Sequence, residues 1–422
     1  MLAAVRGSWA LFLGMAFLML GNGLQATLLG VRATFDGFAP ATIGLIMSGY
    51  FIGFLAGSTL APRIVQRVGH VRVFAALASL ASAASLVYAV FVDPFTWMAM
   101  RIVTGFCLAG LYVVAESWLN DRATNETRGQ LLSIYMVVQL GAFSGGQLLL
   151  NVADPAGFEL FILISVVISL ALVPISLTAV PTPSFDTPSH VTLKQLYSIS
   201  PLGVVGSLGT GMAHGALIGM GAVYGASAGL SVAEISIMIA LTFLGGMVLQ
   251  WPIGRLSDRF DRRRVLTAVT FLAALSAFAA VAAADIGVWA LFALVALFGG
   301  LSLPMYSLCL AHTNDYLEPK QMVAASGTLV LVVGIGAIMG PIAAAGLMSA
   351  VGPSGWFWCL GAVHAAIGGF AIYRMKARAA VPLDEQGDFI AVPPQASPVA
   401  AALNPASVPD VVDGDLARTA RR

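Results

Sequence analysis

Twelve stretches of this chain, each long enough to cross a bilayer, run almost without charge, and the charged residues are crowded into the short segments between them. An α-helix needs about 20 apolar residues to traverse ~30 Å of hydrocarbon, where every backbone N–H and C=O must be satisfied within the helix itself. The stretches are read as spans at 8–30, 41–62, 71–92, 95–118, 130–153, 157–180, 199–224, 231–254, 264–284, 287–312, 322–350 and 354–374. A soluble fold is excluded: 59% of the residues are apolar and 10% charged, against about a quarter charged in soluble proteins. The expected fold class is an all-α membrane protein with 12 transmembrane helices.

A net charge of +1 with its basic residues scattered over many loops offers no surface for nucleic acid. Their sidedness is informative. With the N-terminus in the cytoplasm, all of the 21 Lys and Arg except Arg32 and Arg101 fall on that side or in the tail. This positive-inside bias and the even number of spans predict that both termini are cytoplasmic. Cys107, Cys309 and Cys359 all fall in spans and read as small apolar residues rather than a disulfide framework. The first stretch is too long for a signal-peptide core and is read as a retained helix.

The chain repeats itself. A shift of 192 residues lays Arg63, Arg67 and Arg72 over Arg255, Arg259 and Arg264, and Gly53 over Gly245. A shift of 194 pairs Gly105 with Gly299, Tyr112 with Tyr306, and Asn120-Asp121 with Asn314-Asp315. Three arginines in register are a stronger signal than matched apolar residues. Six helices therefore occur twice, and because six is even both copies run the same way, giving two parallel six-helix pseudo-repeats. The expected domains are a bundle over 1–180, a cytoplasmic linker over 181–198 with three prolines, a second bundle over 199–375, and a disordered cytoplasmic tail over 376–422 that is Ala, Pro, Val and Asp without apolar periodicity.

Glycines at four-residue spacing (Gly49, Gly53 and Gly57; Gly141 and Gly145; Gly336 and Gly340), with the adjacent Gly245-Gly246, mark faces where another backbone approaches. The bland reading is tight packing; the functional one is that these helices slide as the halves rock. Another motif follows the eighth span: Gly254-Arg-Leu-Ser-Asp258-Arg259-Phe-Asp261-Arg262-Arg263-Arg264. An Asp here can accept hydrogen bonds from a neighbouring helix N-terminus, and the arginines can pair with acids ending helices four or ten. The segment resembles the signature loop of the major facilitator superfamily, as Arg101-Ile-Val-Thr-Gly105 resembles its helix-four motif. Glu116-Ser-Trp-Leu, Arg128-Gly129 and Gln250-Trp251-Pro252-Ile253-Gly254 are similar to the bacterial YcaD-like branch. Asp261 stands where the family usually has Gly, and the first-half copy has Pro62 and Gln66 for the first Gly and the Asp. The resemblance covers about residues 8 to 375.

It implies the major facilitator fold, a bacterial inner (plasma) membrane location, and a central cavity lined by helices one, four, seven and ten. Asn22, Gln25, Arg101, Tyr112, His214 and Tyr306 are the expected substrate-cavity residues. Arg101 lies about seven residues into its helix, roughly 10 Å deep, where a charge usually faces a cavity or a partner; it attracts an anionic group, keeps a protonation site poised, or is simply hydrogen-bonded. His214 is a titrating site or an ordinary bonded histidine. Glu116, about 22 Å farther along the helix, is assigned to a cytoplasmic gate with Arg67, Arg72, Asp258, Arg259 and Arg263. Since no Asp or Glu falls near a helix centre, a proton would use His214, or Arg101 with the substrate, or the protein would be an uncoupled facilitator.

The expected function is a secondary active transporter that moves a small solute by alternating access. Proton-coupled efflux of an amphipathic compound suits the greasy cavity better than sugar uptake. The alternative is a non-transporting membrane sensor or scaffold on the same fold. Gly225-Ala-Ser227-Ala-Gly229 fits the nucleophile-elbow pattern, but without a strand-turn-helix context or triad partners no enzyme is expected. No metal or cofactor pattern is found, and the expected partners are a small-molecule substrate, protons and the lipid bilayer, with the chain a monomer.

Overall fold

Prolines and polar caps start the helices where the hydropathy pattern places them. Pro40, Pro94 and Pro201 each stand at the first helical position, where the missing N–H would have had no intrahelical partner. Asp93 caps its helix by accepting from the N–H groups of Phe95 (3.1 Å) and Thr96 (2.9 Å), and Ser231 and Glu234 form a reciprocal capping box. The computed structural model describes residues 2–124, 127–177, 191–393, 395, 397 and 399–400.

The helices are α1 (Leu2–Phe35), α2 (Pro40–Val68), α3 (His70–Val90), α4 (Pro94–Arg122), α5 (Arg128–Leu148), α6 (Glu159–Leu170) and α7 (Leu172–Ser176) in the first half. After α8 (Leu193–Ile199) come α9 (Pro201–Ser227), α10 (Val232–Arg259), α11 (Arg262–Ile286), α12 (Val288–Ser302), α13 (Met305–Asn314), α14 (Pro319–Val351) and α15 (Gly355–Ala377). Among the described residues, twelve spans are long and apolar enough to cross a membrane, with α6 and α7 forming one and α12 and α13 another. No strand occurs among the described residues. Most of the predicted linker and residues 401–422 of the predicted tail lie outside the described residues; α8 forms the end of the linker.

Glycine sets the tightest crossings, and almost all of them lie within a half. A Cβ on Gly53 of α2 would strike the Ile102 carbonyl of α4, and one on Gly105 would strike that of Tyr50. The second half repeats this: Gly245 faces the carbonyl of Ala296, and Gly299 that of Thr242. Gly336 and Gly340 press likewise on Leu208 and Met212 of α9. These faces therefore weld helices together inside each half rather than providing the sliding surface between halves. Gly141 has open space around it, and the close approach on α5 is made by Gly146 against Leu20 instead.

Between the halves the contacts gather at the end away from the arginine-rich loops. There Gly44 of α2 meets Pro341 and Ala345 of α14, Ser48 donates to the Ile338 carbonyl (2.8 Å), and Asn151 donates to Ser236 (2.8 Å). At the basic end α5 and α10 part around a cleft of about 680 Å³, lined by Leu132, Met136, Trp251 and Asp258 among others. The interface is thus closed at one end and parted at the other.

One segment departs from the sequence expectation. The sequence predicts a disordered tail over 376–422, yet beyond Ala377 its described residues turn back into the opening, and Val392, Pro393, Ser397, Val399 and Ala400 are buried. The physical reason is that an extended segment needs no periodicity of its own when the walls of an existing cavity bury its side chains.

Candidate functional site

Tyr50 of α2 and Tyr112 of α4 converge at the middle of the interface, and each hydroxyl donates to Oε1 of Gln395 at 3.2 Å. Both tyrosines are buried. Asn22 of α1 lies beside the two hydroxyls, and Met19 places its sulfur 3.1 Å from that of Tyr112. Phe54, Ser58, His214 and Tyr306 complete the wall of a remaining space of about 40 Å³. Apart from its few donors the lining is aliphatic and aromatic, as in pockets for apolar ligands.

Deeper along α4, toward the basic end, Glu116 is fully buried. Tyr135 of α5 donates to its Oε1 at 3.3 Å. From the tail, the Ser397 N–H reaches Oε2 at 3.0 Å and the Ser397 hydroxyl donates to the same oxygen. No ion pair to Glu116 occurs among the described residues. A carboxylate held only by neutral donors in an apolar interior is costly, and intramembrane carboxyls of this kind mark ion or proton pathways.

Arg101 is also buried, with its guanidinium 4.7 Å from the centre of the Tyr50 ring. Its Nε and Nη1 have no hydrogen-bond partner. It lies behind Tyr50 and does not line the remaining space. His214 of α9 is fixed by a contact of 3.1 Å between Nε2 and the Ser302 carbonyl. Because a carbonyl only accepts, Nε2 carries a proton, and Nδ1 has no partner.

At the basic end the loop between α10 and α11 holds the tail. Asp258 accepts from the Phe389 N–H (2.7 Å) and stands 3.5 Å from Arg262. Arg262 is buried and pairs with Asp315 at the end of α13 (2.5 Å), while also donating to Ser257 (2.9 Å) and to the Gly387 carbonyl (2.6 Å). Arg263 pairs with Asp261 (3.0 Å) and donates to the Arg378 carbonyl (2.7 Å). Burial opposes ionisation of Asp261, but hydrogen bonds from Arg263 and its charge hold the carboxyl below the usual carboxylate range. Gly254 leaves room for the Phe389 ring, since a Cβ there would come within 2.8 Å of the ring carbon Cε1.

The profile of the Major Facilitator Superfamily matches residues 11–231 and again 199–408. The chain belongs to the major facilitator superfamily. It is 30% identical over 342 residues to the MFS-type transporter YcaD of Salmonella heidelberg, covering 80% of this chain and 88% of that one. It is 29% identical over 338 residues to the YcaD of an Escherichia coli strain, covering 79% and 87%. Among solved structures, a point mutant of the nucleoside transporter NupG superposes with TM-score 0.72 at 11% identity, covering 86% of this chain and 98% of that one. A bacterial homologue of the lysosomal transporter Spinster superposes with TM-score 0.66 at 14% identity, covering 95% and 97%. These structural likenesses bear on the fold; family and relatives together make this a multi-pass transporter of the bacterial inner membrane.

Of the residues expected to line the cavity of a major facilitator protein, Asn22, Tyr112, His214 and Tyr306 come together. Gln25 does not: it faces α3, donating to Ser85 at 3.0 Å. The gate expectation needs a larger correction. Arg67, Arg72 and Arg259 are exposed, and Glu116 meets none of them because its side chain turns into the bundle. Asp258 caps the tail rather than a helix N-terminus. The expected pairing of a loop arginine with an acid ending helix ten is made by Arg262 and Asp315. Ser227 ends α9 in a helix-turn-helix setting, not a nucleophile elbow. Tyr50, Tyr135 and the buried tail go beyond the sequence expectation; the apolar run Phe389-Ile390-Ala391-Val392 is the signal for the last.

Proposed function

We propose that this major facilitator protein exports an amphipathic small molecule by alternating access, with the basic end cytoplasmic and with protons exchanged at Glu116. The observation that carries the reading is a carboxyl buried in the interface between the two halves, met by Tyr135 from α5 and, among the described residues, by no cation. Such a group can take a proton from one side and release it to the other as the interface closes and opens. His214 is the weaker choice because its Nδ1, the nitrogen that would take up a proton, meets no polar group among the described residues that could pass it one. The aliphatic and aromatic walls with few donors favour a mainly apolar solute over a sugar.

The test is uptake of ethidium, an amphipathic amine, into inside-out vesicles with and without an imposed pH gradient. Wild type should accumulate it only with the gradient, and Glu116→Gln should lose the gradient's effect. Equal uptake with and without the gradient would refute coupling. The second reading, a sensor or scaffold, draws on the cavity being filled by the chain itself, and it predicts no solute movement in any variant.

A further inference from the structure

We propose that the described residues of the tail from Gly387 onward (387–393, 395, 397, 399 and 400) belong to a tethered pseudosubstrate, occupying the cavity at the basic end and competing there with the transported solute. The inference rests on the transporter reading for its consequence, but its geometry stands independently. Along its length the segment meets polar groups of the cavity wall: the Gly387 carbonyl on Arg262, the Phe389 N–H on Asp258, and Val392 bonded through both its N–H and its carbonyl to Ser307 (3.0 and 3.2 Å). It ends with Gln395 between two tyrosine hydroxyls and Ser397 on Glu116. The last two contacts touch the residues with which a solute would have to interact.

Two consequences follow from that placement. While Ser397 covers Glu116, the carboxyl is closed off from the basic-end opening, so solute entry requires the tail to leave. The tail's chemistry also describes what the site accepts: a paired N–H and O–H donor on the carboxylate, an amide oxygen between tyrosines, and apolar groups such as Val392, Pro393 and Val399 against the walls. The matching solute class is an apolar body bearing an amine or amide donor at one pole and a carbonyl-type acceptor nearby.

About a dozen residues join Ala377 to Phe389, and a short tether gives an effective concentration on the order of 1 mM. A tail whose free peptide binds at about 100 µM would then weaken the apparent affinity for a competing solute about tenfold. Like-charge repulsion supplies a variant in the full chain: Ser397→Glu sets a second carboxylate against Glu116 and should expel the segment.

The experiment pairs transport with binding. Wild type, full-length Ser397→Glu, and a chain ending at Gln386 are compared for ethidium uptake at low concentration. A fluorescently labelled peptide of residues 387–400 is titrated onto the shortened protein and onto its Glu116→Gln form. The expected result is roughly tenfold faster uptake in both altered chains, inhibition of the shortened chain by added peptide, and at least fivefold weaker peptide binding without the carboxylate. A shortened chain that stays folded and moves ethidium, but no faster than wild type, or a peptide that fails to bind at 1 mM, would overturn the proposal. If no form moves ethidium while the peptide binds in a Glu116-dependent way, the pseudosubstrate stands and the ethidium-efflux reading falls.

Discussion

Ser397 gives both its backbone N–H and its hydroxyl to the carboxylate of Glu116, 281 residues earlier in the chain. The contact joins the last described segment to the one carboxyl that is buried at the interface of the halves among the described residues. It places that carboxyl in the interior of the bundle, away from the loop arginines of the expected gate.

If Glu116 carries the proton, the buried histidine is dispensable for coupling. His214→Ala should retain gradient-dependent ethidium uptake in vesicles, with an apparent affinity altered by no more than the tenfold that one lost wall contact of about 1.4 kcal/mol allows. Loss of the gradient's effect in His214→Ala with Glu116 intact would return the proton to the histidine.

The Arg262–Asp315 pair should be costly to break from one side. Asp315→Ala leaves a guanidinium buried without its counter-charge, and the expected loss is roughly 3 kcal/mol, read as a lower melting temperature in detergent. Replacing both partners, Arg262→Met with Asp315→Leu, should recover most of it. A single variant that melts with wild type would mean that the Ser257 and Gly387 contacts suffice.

Gly105→Ala forces a methyl onto the Tyr50 carbonyl and should destabilise by about 1–3 kcal/mol, while also displacing Tyr50 from the cavity. Gly141→Ala, with open space around it, serves as the control and should melt unchanged. Equal melting of the two would show that α2 and α4 separate freely.

Orientation is open to a direct test. A phosphatase active only outside the cytoplasm, fused after Lys194, should be inactive, and fused within the loop between α9 and α10 it should be active. The reverse pattern would invert the proposed sidedness.

The spans and the duplication were legible because hydropathy and sequence shift are local or periodic signals. Buried Arg101 was legible for the same reason: a charge seven residues inside an apolar helix cannot reach water easily. Glu116 was misjudged from its distance to the helix end, since depth along an axis does not say which way a side chain turns. Tyr50 and Tyr135 looked like any aromatic residue in an apolar span. The tail escaped because Pro-rich extended chain has no period, and its burial is set by walls contributed from residues far away in sequence.

The duplication has left its two copies unequal at the level of charge. The shift that overlays Tyr112 on Tyr306 sets Val295 opposite Arg101 and Leu310 opposite Glu116, both buried and both apolar. One copy carries ionic groups in the membrane interior, and the other presents hydrocarbon at the same positions. A change of charge in α4 is therefore met across the repeat by an apolar surface that carries no matching charge to be disturbed.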